Sequence, residues 1–156
     1  MKTIFVTGGC GFVGSHICLN LLESGYSLIV LDSNVNSSIY SLNRIIEIGR
    51  SYNKDFKDKI SFVKGDIRNK NLLNEIFTKS NKDKKKIEGV VHCAGLKSVH
   101  KSCIDPVSYW DVNVRGAIGL FDVINIETVA EKFKDFQNWY SVKNPGKDIT
   151  ELKFLK

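Results

Sequence analysis

Cysteine is scarce in this chain, and the four that occur (Cys10, Cys18, Cys93 and Cys103) show no C-x-x-C spacing. That gives no metal or dithiol motif, and the residues read as small buried thiols in a reducing compartment. No apolar run is long enough to span a membrane. Met1-Lys2-Thr3 leads straight into the first apolar run, so no signal peptide and a cytoplasmic location are expected. There is no internal repeat and no nucleic-acid module signature. The net charge is +6, but its lysines are scattered. The densest run, Lys79 to Lys86, is interleaved with acid and Asn and carries no aromatic, so it reads as a solvated helix end or loop. Neither nucleic acid nor membrane is expected as a partner. What is present is 156 residues at 42% hydrophobic, enough for one ordinary domain with a real core.

The densest information lies in Ile4-Phe5-Val6-Thr7-Gly8-Gly9-Cys10-Gly11-Phe12-Val13-Gly14-Ser15-His16. A short apolar strand enters a glycine turn, and an amphipathic helix with Ile17, Leu21 and Leu22 follows. That order is a dinucleotide pyrophosphate site. The backbone must turn tightly and approach the phosphates with no Cβ in the way. The helix N-terminus then offers free N–H groups and partial positive charge. Two registers fit: Gly9-x-Gly11-x-x-Gly14, and Gly8-x-x-Gly11-x-x-Gly14.

Leu28-Ile29-Val30-Leu31-Asp32 is a second apolar run, ending in an acid 18 residues after Gly14. A carboxylate at that spacing accepts hydrogen bonds from the adenosine ribose and repels a 2′-phosphate. Ser33-Asn34 supplies no cation for that phosphate, so NAD is favoured over NADP. Taken alone, Asp32 could also be a helix-capping residue at a strand end.

Strand-like and helix-like runs alternate along the chain. Thr3–Thr7, Leu28–Asp32, Ile60–Val63 and Gly89–His92 read as strands. Leu42–Ile48, Leu72–Phe77 and a longer run Val107–Ile126 read as helices, the last opened by Asp105-Pro106. The expected fold is α/β, a Rossmann-like parallel sheet of order 3-2-1-4 with helices on both faces and the ligand at the switch point between strands 1 and 4. No fifth strand followed by a long helix is found after Ile126, so the second half of the usual sheet is expected to be missing. Residues 1–126 form the expected partial dinucleotide-binding domain, and residues 127–156 a divergent helical tail.

With these segments in view the chain resembles UDP-glucose (UDP-galactose) 4-epimerases, which are extended short-chain dehydrogenases. Asp32-Ser33-Asn34-Val35-Asn36-Ser37 is similar to the family's D-N-x-x-N-S, and Gly65-Asp66-Ile67-Arg68 to its G-D-I-R. His92-Cys93-Ala94-Gly95-Leu96-Lys97-Ser98-Val99 is similar to H-F-A-G-L-K-A-V, and the stretch from Asp105-Pro106 to Asn113-Val114-Arg115-Gly116 to P-x-x-Y-Y-x-x-N-V-x-G. The match runs over residues 1–126 with one insertion near Tyr52 to Lys57. It implies NAD as cofactor, held by Gly8, Gly11, Phe12, Val13 and Gly14 at the pyrophosphate. Asp32, Asn36 and Ser37 would lie at the ribose, and Asp66 and Ile67 beside the adenine. Cys93, Ala94, Gly95 and Lys97 would border the nicotinamide side, while Asn113 holds backbone nearby. After Val99, His100-Lys101-Ser102 replaces the family's Gly-Glu-Ser in a loop that borders the substrate pyrophosphate.

The resemblance implies interconversion of UDP-glucose and UDP-galactose through a 4-keto sugar, with a UDP-sugar substrate and often a homodimer. The family's proton transfer uses a Ser or Thr and a Tyr-x-x-x-Lys helix, and this chain contains no Tyr-x-x-x-Lys. Tyr140-Ser141-Val142-Lys143 has the wrong spacing and runs into Asn144-Pro145. The segment Asp135 to Gly146 is instead similar to the family's extreme C-terminus. Three functions follow from the sequence: an epimerase by descent, a non-catalytic NAD-binding module, or another extended short-chain nucleotide-sugar enzyme. Without a fifth strand, the open edge of strand 4 is expected to promote self-association.

Overall fold

A computed structural model of the chain describes residues 2–83 and 85–124. Its strands form where short apolar runs must be buried on both faces. They are β1 (Thr3–Thr7), β2 (Ser27–Asp32), β3 (Ile60–Lys64) and β4 (Ile87–His92). All pairings are parallel, in the order β3-β2-β1-β4. Val6 sits between Val30 and Val91 in register, so β1 is the centre of the sheet. The expected parallel sheet and its strand order are therefore observed.

Side-chain alternation sorts β1 between two cores. Ile4 and Val6 join Leu28, Val30, Cys18, Leu22, Leu42 and Ile45 under helices α1 (Phe12–Glu23) and α2 (Tyr40–Ser51). Phe5 points the other way and meets Phe77 of α3 (Lys70–Lys82) edge to face, centroids 5.4 Å apart. The insertion after α2 is part of the first core. The left-handed Asn53 ends α2, with Asn53 N donating to Arg50 O and Lys54 N to Gly49 O. Phe56 is then folded back as a buried side chain onto Gly49, where a Cβ would collide with its ring.

Several element limits differ from the sequence reading. The helices α2 and α3 and strand β4 extend beyond the runs read as periodic. The loop expected after Val99 is a short helix, α4 (Val99–Ile104), with Ser98 Oγ accepting from Lys101 N at its start. The long helix read over Val107–Ile126 is helical from Pro106 to Val123 but not uniform, and residues 125–126 lie outside those described. It begins as α5 (Pro106–Trp110), capped by Asp105 accepting from Ser108 N. It then passes through a π-helical segment, Asp111–Arg115, and resumes as α6 (Gly116–Val123). The cysteines divide: Cys10 and Cys18 are buried as expected, but Cys93 is half-buried and Cys103, on α4, is exposed. The tail, with Trp139, Tyr140 and Lys143, lies outside the described residues.

Candidate functional site

Every strand of a parallel sheet delivers its C-terminal end to the same edge, and a cleft of about 410 Å³ opens there. Its floor is the turn between β1 and α1. Gly8 adopts φ +69°, and a Cβ there would lie 2.5 Å from the Ala94 amide nitrogen. A Cβ on Gly14 would collide with the Gly8 carbonyl, so helix and turn can approach only through glycine. Gly11 differs: its Cβ would meet only the Gly8 carbonyl oxygen, at 3.3 Å, and it faces the cleft. Gly9 packs against Val30 and Cys18 in the core. Of the two glycine registers, Gly8, Gly11 and Gly14 are thus the ones that line the cleft.

The first turn of α1 leaves backbone donors over. Gly11 caps the helix with no side-chain bond, and the first intrahelical bond in this turn runs from Ser15 N to Gly11 O. The N–H groups of Phe12, Val13 and Gly14 find no acceptor among the described residues, and all three residues line the cleft. Phe12 is 84% exposed, so apolar surface flanks these donors.

Asp32 stands opposite, at the end of β2, and is 7% exposed. Its Oδ2 accepts from Cys10 N at 2.9 Å; its Oδ1 accepts from Asn34 N at 2.9 Å and Ser37 Oγ at 2.7 Å. A carboxylate has about four acceptor positions, so about one is left for a ligand. Asn36 and Ser37 line the same wall. Beyond β3, Asp66, Ile67 and Arg68 form the next wall, with Ile67 packed against Gly116 at the start of α6. Arg68 is bonded to Asp66 and holds its carboxyl below the usual carboxylate range.

The wall beyond β4 comprises Cys93, Ala94, Gly95, Leu96 and Lys97. Thr7 Oγ1 lies 2.6 Å from His92 Nδ1 and tethers the ends of β1 and β4. Burial, and then the Lys97 charge, push the His92 imidazole down. Asn113 does not line the cleft. Its Oδ1 accepts from Leu96 N at 2.7 Å and its Nδ2 donates to Leu96 O at 3.0 Å, so it splints the Gly95–Lys97 backbone. The structure thus gathers Gly8, Gly11, Phe12, Val13, Gly14, Asp32, Asn36, Ser37, Asp66, Ile67, Cys93, Ala94, Gly95 and Lys97 around one space, with Asn113 behind it. Among the lining residues that sequence reading missed are Arg68, Ser108 and Val112, together with the strand-end residues Leu31 and Gly65 and loop residues beside the predicted ones. The spacing of Ser108 and Val112, four apart on one helix face, was the available signal.

Among the described residues, no group of three potential metal ligands occurs, and no helix is long and apolar enough to cross a membrane.

A parallel sheet of this order, with a glycine turn, bare helix N–H groups and an acid at the end of the second strand, defines a Rossmann-like α/β fold. The chain belongs to the GDP-mannose 4,6 dehydratase family, whose model matches residues 5–138. It is 42% identical over 120 residues to a UDP-glucose 4-epimerase of Neisseria meningitidis serogroup A, covering 77% of this chain and 32% of that protein. The UDP-glucose 4-epimerase of Bifidobacterium longum, solved in complex with NAD⁺ and UDP, superposes with a TM-score of 0.69 at 33% identity. That match covers 82% of this chain and 35% of the other. The enzyme from Stenotrophomonas maltophila, with bound NAD and formylated UDP-arabinopyranose, gives 0.67 at 32% identity, covering 80% and 33%. The chain therefore spans about a third of the length of the curated relatives it matches.

Proposed function

We propose that this chain holds NAD⁺ and forms the cofactor-binding portion of a UDP-sugar 4-epimerase. The observation that carries the reading is one cleft lined both by Phe12, Val13 and Gly14, whose N–H groups are left over, and by the Asp32 carboxylate. The donors and the helix dipole suit a pyrophosphate. The remaining acceptor position of Asp32 suits one ribose hydroxyl, and its negative charge opposes a 2′-phosphate. Lys97, on the β4 side, supplies a cation for the second ribose or a phosphate.

When bound, NAD⁺ supplies a hydride acceptor for oxidation at C4 of the sugar. The residues of this chain bind and orient it. Gly8 and Gly14 admit its backbone cradle, and Asn113 keeps Leu96 and Gly95 in place beside it. The whole activity, interconversion of UDP-glucose and UDP-galactose, also needs a positioned acid and base. Such proton transfer is worth about 10²–10⁴-fold, and no Tyr-x-x-x-Lys lies within these residues. For the 156-residue chain alone the reading is therefore NAD⁺ binding without turnover of UDP-galactose.

Calorimetry with NAD⁺ on the wild-type chain and on Gly11→Val tests the binding. The valine side chain would occupy the phosphate position, so heat of binding is expected from the first protein and none from the second. Equal binding by both removes the pyrophosphate from the glycine turn. A coupled assay with UDP-galactose is expected to show no product. Turnover that disappears in Tyr140→Phe would mean that the tail supplies the catalytic tyrosine after all.

A further inference from the structure

We propose that His92 is a positioning residue for the cofactor cleft, one that closes the wall beyond β4 only while its imidazole is neutral. The inference rests on the dinucleotide reading above and adds to it a residue that does not line the cleft. If the pyrophosphate lies on the α1 N-terminus and one ribose at Asp32, strand order sends the other half of the dinucleotide towards the end of β4. There it meets Cys93 and Ala94.

That wall stands only where β4 is held against β1. Cys93 N donates to Thr7 O at 2.9 Å, and Gly8 lies so close to Ala94 that a Cβ would come within 2.5 Å of its nitrogen. One side-chain bond spans the same junction, between Thr7 Oγ1 and His92 Nδ1 at 2.6 Å. Thr7 is fully buried, and the other partner of its hydroxyl among the described residues is Ala94 N, which donates at 3.4 Å.

Counting protons assigns the direction of the bond. A threonine hydroxyl has one hydrogen to donate and two lone pairs. Ala94 N–H takes a lone pair, so the hydrogen goes to His92 Nδ1, and the imidazole carries its own proton on Nε2. A second proton would have to sit on Nδ1. That nitrogen would then donate, and the Thr7 hydrogen would be left buried with no acceptor, which is unfavourable. The β1 strand brings up no titratable group. Among the described residues the charge that bears on the ring is the Lys97 ammonium, and no carboxylate offsets it. Protonation therefore breaks the tether and frees the ring to swing away from Thr7. It also sets a second cation beside Lys97, on the side where the positively charged nicotinamide of NAD⁺ would lie.

The test is calorimetry of NAD⁺ on the full 156-residue chain at about pH 7.5 and about pH 5, either side of the ordinary imidazole value, with His92 followed by nitrogen NMR. The wild type is expected to carry the His92 proton on Nε2 at the higher pH and to bind NAD⁺ about three- to tenfold more weakly at the lower. His92→Gln still offers Thr7 an acceptor but cannot gain a proton. Its affinity ratio between the two pH values is expected near one, although His16 and His100 remain to titrate. Thr7→Val removes the donor, so His92 is expected to titrate at a higher pH than in the wild type. Should Thr7→Val fail to fold, His92→Gln and the wild-type spectrum carry the test. A proton on Nδ1 in the neutral ring overturns the inference, as does a His92 titration unmoved by Thr7→Val or a pH effect that persists in His92→Gln. If NAD⁺ binds and is lost in Gly11→Val, yet the wild-type ratio is near one, this inference alone falls. A wild-type chain that binds no NAD⁺ at either pH overturns the cofactor reading and this one with it.

Discussion

Gly11 and Gly14 are three residues apart and need glycine for different reasons. At Gly14 the obstacle is the protein itself, since a side chain would strike the Gly8 carbonyl. At Gly11 the side chain would enter the cleft. Gly14→Val is therefore expected to lower the melting temperature and Gly11→Val to leave it nearly unchanged while abolishing NAD⁺ binding. Thermal melts beside calorimetry separate the two, and equal destabilisation by both would contradict the distinction. The glycine turn and Asp32 were legible from sequence because tight turns and strand-end acids are local. The division of labour among the glycines was not, because it depends on how the turn folds back on the Gly8 carbonyl and, for Gly8 and Gly9, on Ala94 and Val30 farther along the chain.

The buried thiols make a second residue-scale prediction. Burial, with nearby Cys10, Cys93 and Asp32 adding negative potential, pushes the Cys18 thiol up to about 12. Burial and Asp32 push Cys10 up to about 11, against a smaller opposing effect of Ser41. Both are raised above the unfolded value, so the folded state keeps protons that the unfolded chain gives up. Their stabilisation is complete below about pH 9 and is lost as pH rises towards the folded values. The denaturation midpoint should fall on the alkaline side, and less steeply in Cys18→Ala. Parallel alkaline limbs in the two proteins would show that this thiol is not responsible.

At the scale of elements, the helix from Pro106 to Val123 braces the cleft. Asp111 reaches Arg68 on one side and Asn113 reaches Leu96 on the other, both from the π-helical segment. Asn113→Ala leaves both backbone groups of Leu96 without their partner. An unsatisfied buried group costs about 1–3 kcal/mol, and these part-buried ones less. The Leu96 amide should exchange hydrogen markedly faster in that variant, and unchanged exchange would mean that the asparagine does not hold the loop. Sequence predicted a single long helix here, since apolar spacing does not reveal one extra residue in a turn. The short α4 escaped for another reason: its six residues are set by the Ser98 side-chain cap at the start and Asp105 N donating to Lys101 O at the end, not by an apolar stripe. The termination of α2 at Asn53, which returns Phe56 to the core, likewise rests on a backbone conformation that periodicity does not encode.

Across the whole molecule, alternation of strands and helices gave the parallel sheet, and the glycine turn after the first strand pointed to the order 3-2-1-4 that is observed. Among the described residues β4 pairs only with β1, and Val107, Trp110, Ile118 and Phe121 are exposed on the helices that follow. The purified chain should therefore associate with rising concentration in size-exclusion chromatography. A sharp monomer at every concentration would mean that residues outside those described cover these surfaces. The central claim, that the cleft is an NAD site, is tested most directly by titrating the chain with NAD⁺ and NADP⁺ side by side. The account predicts saturable NAD⁺ binding and an NADP⁺ affinity lower on the order of tenfold or more, from like-charge repulsion at Asp32. Equal affinity for the two, or binding of neither, would contradict it.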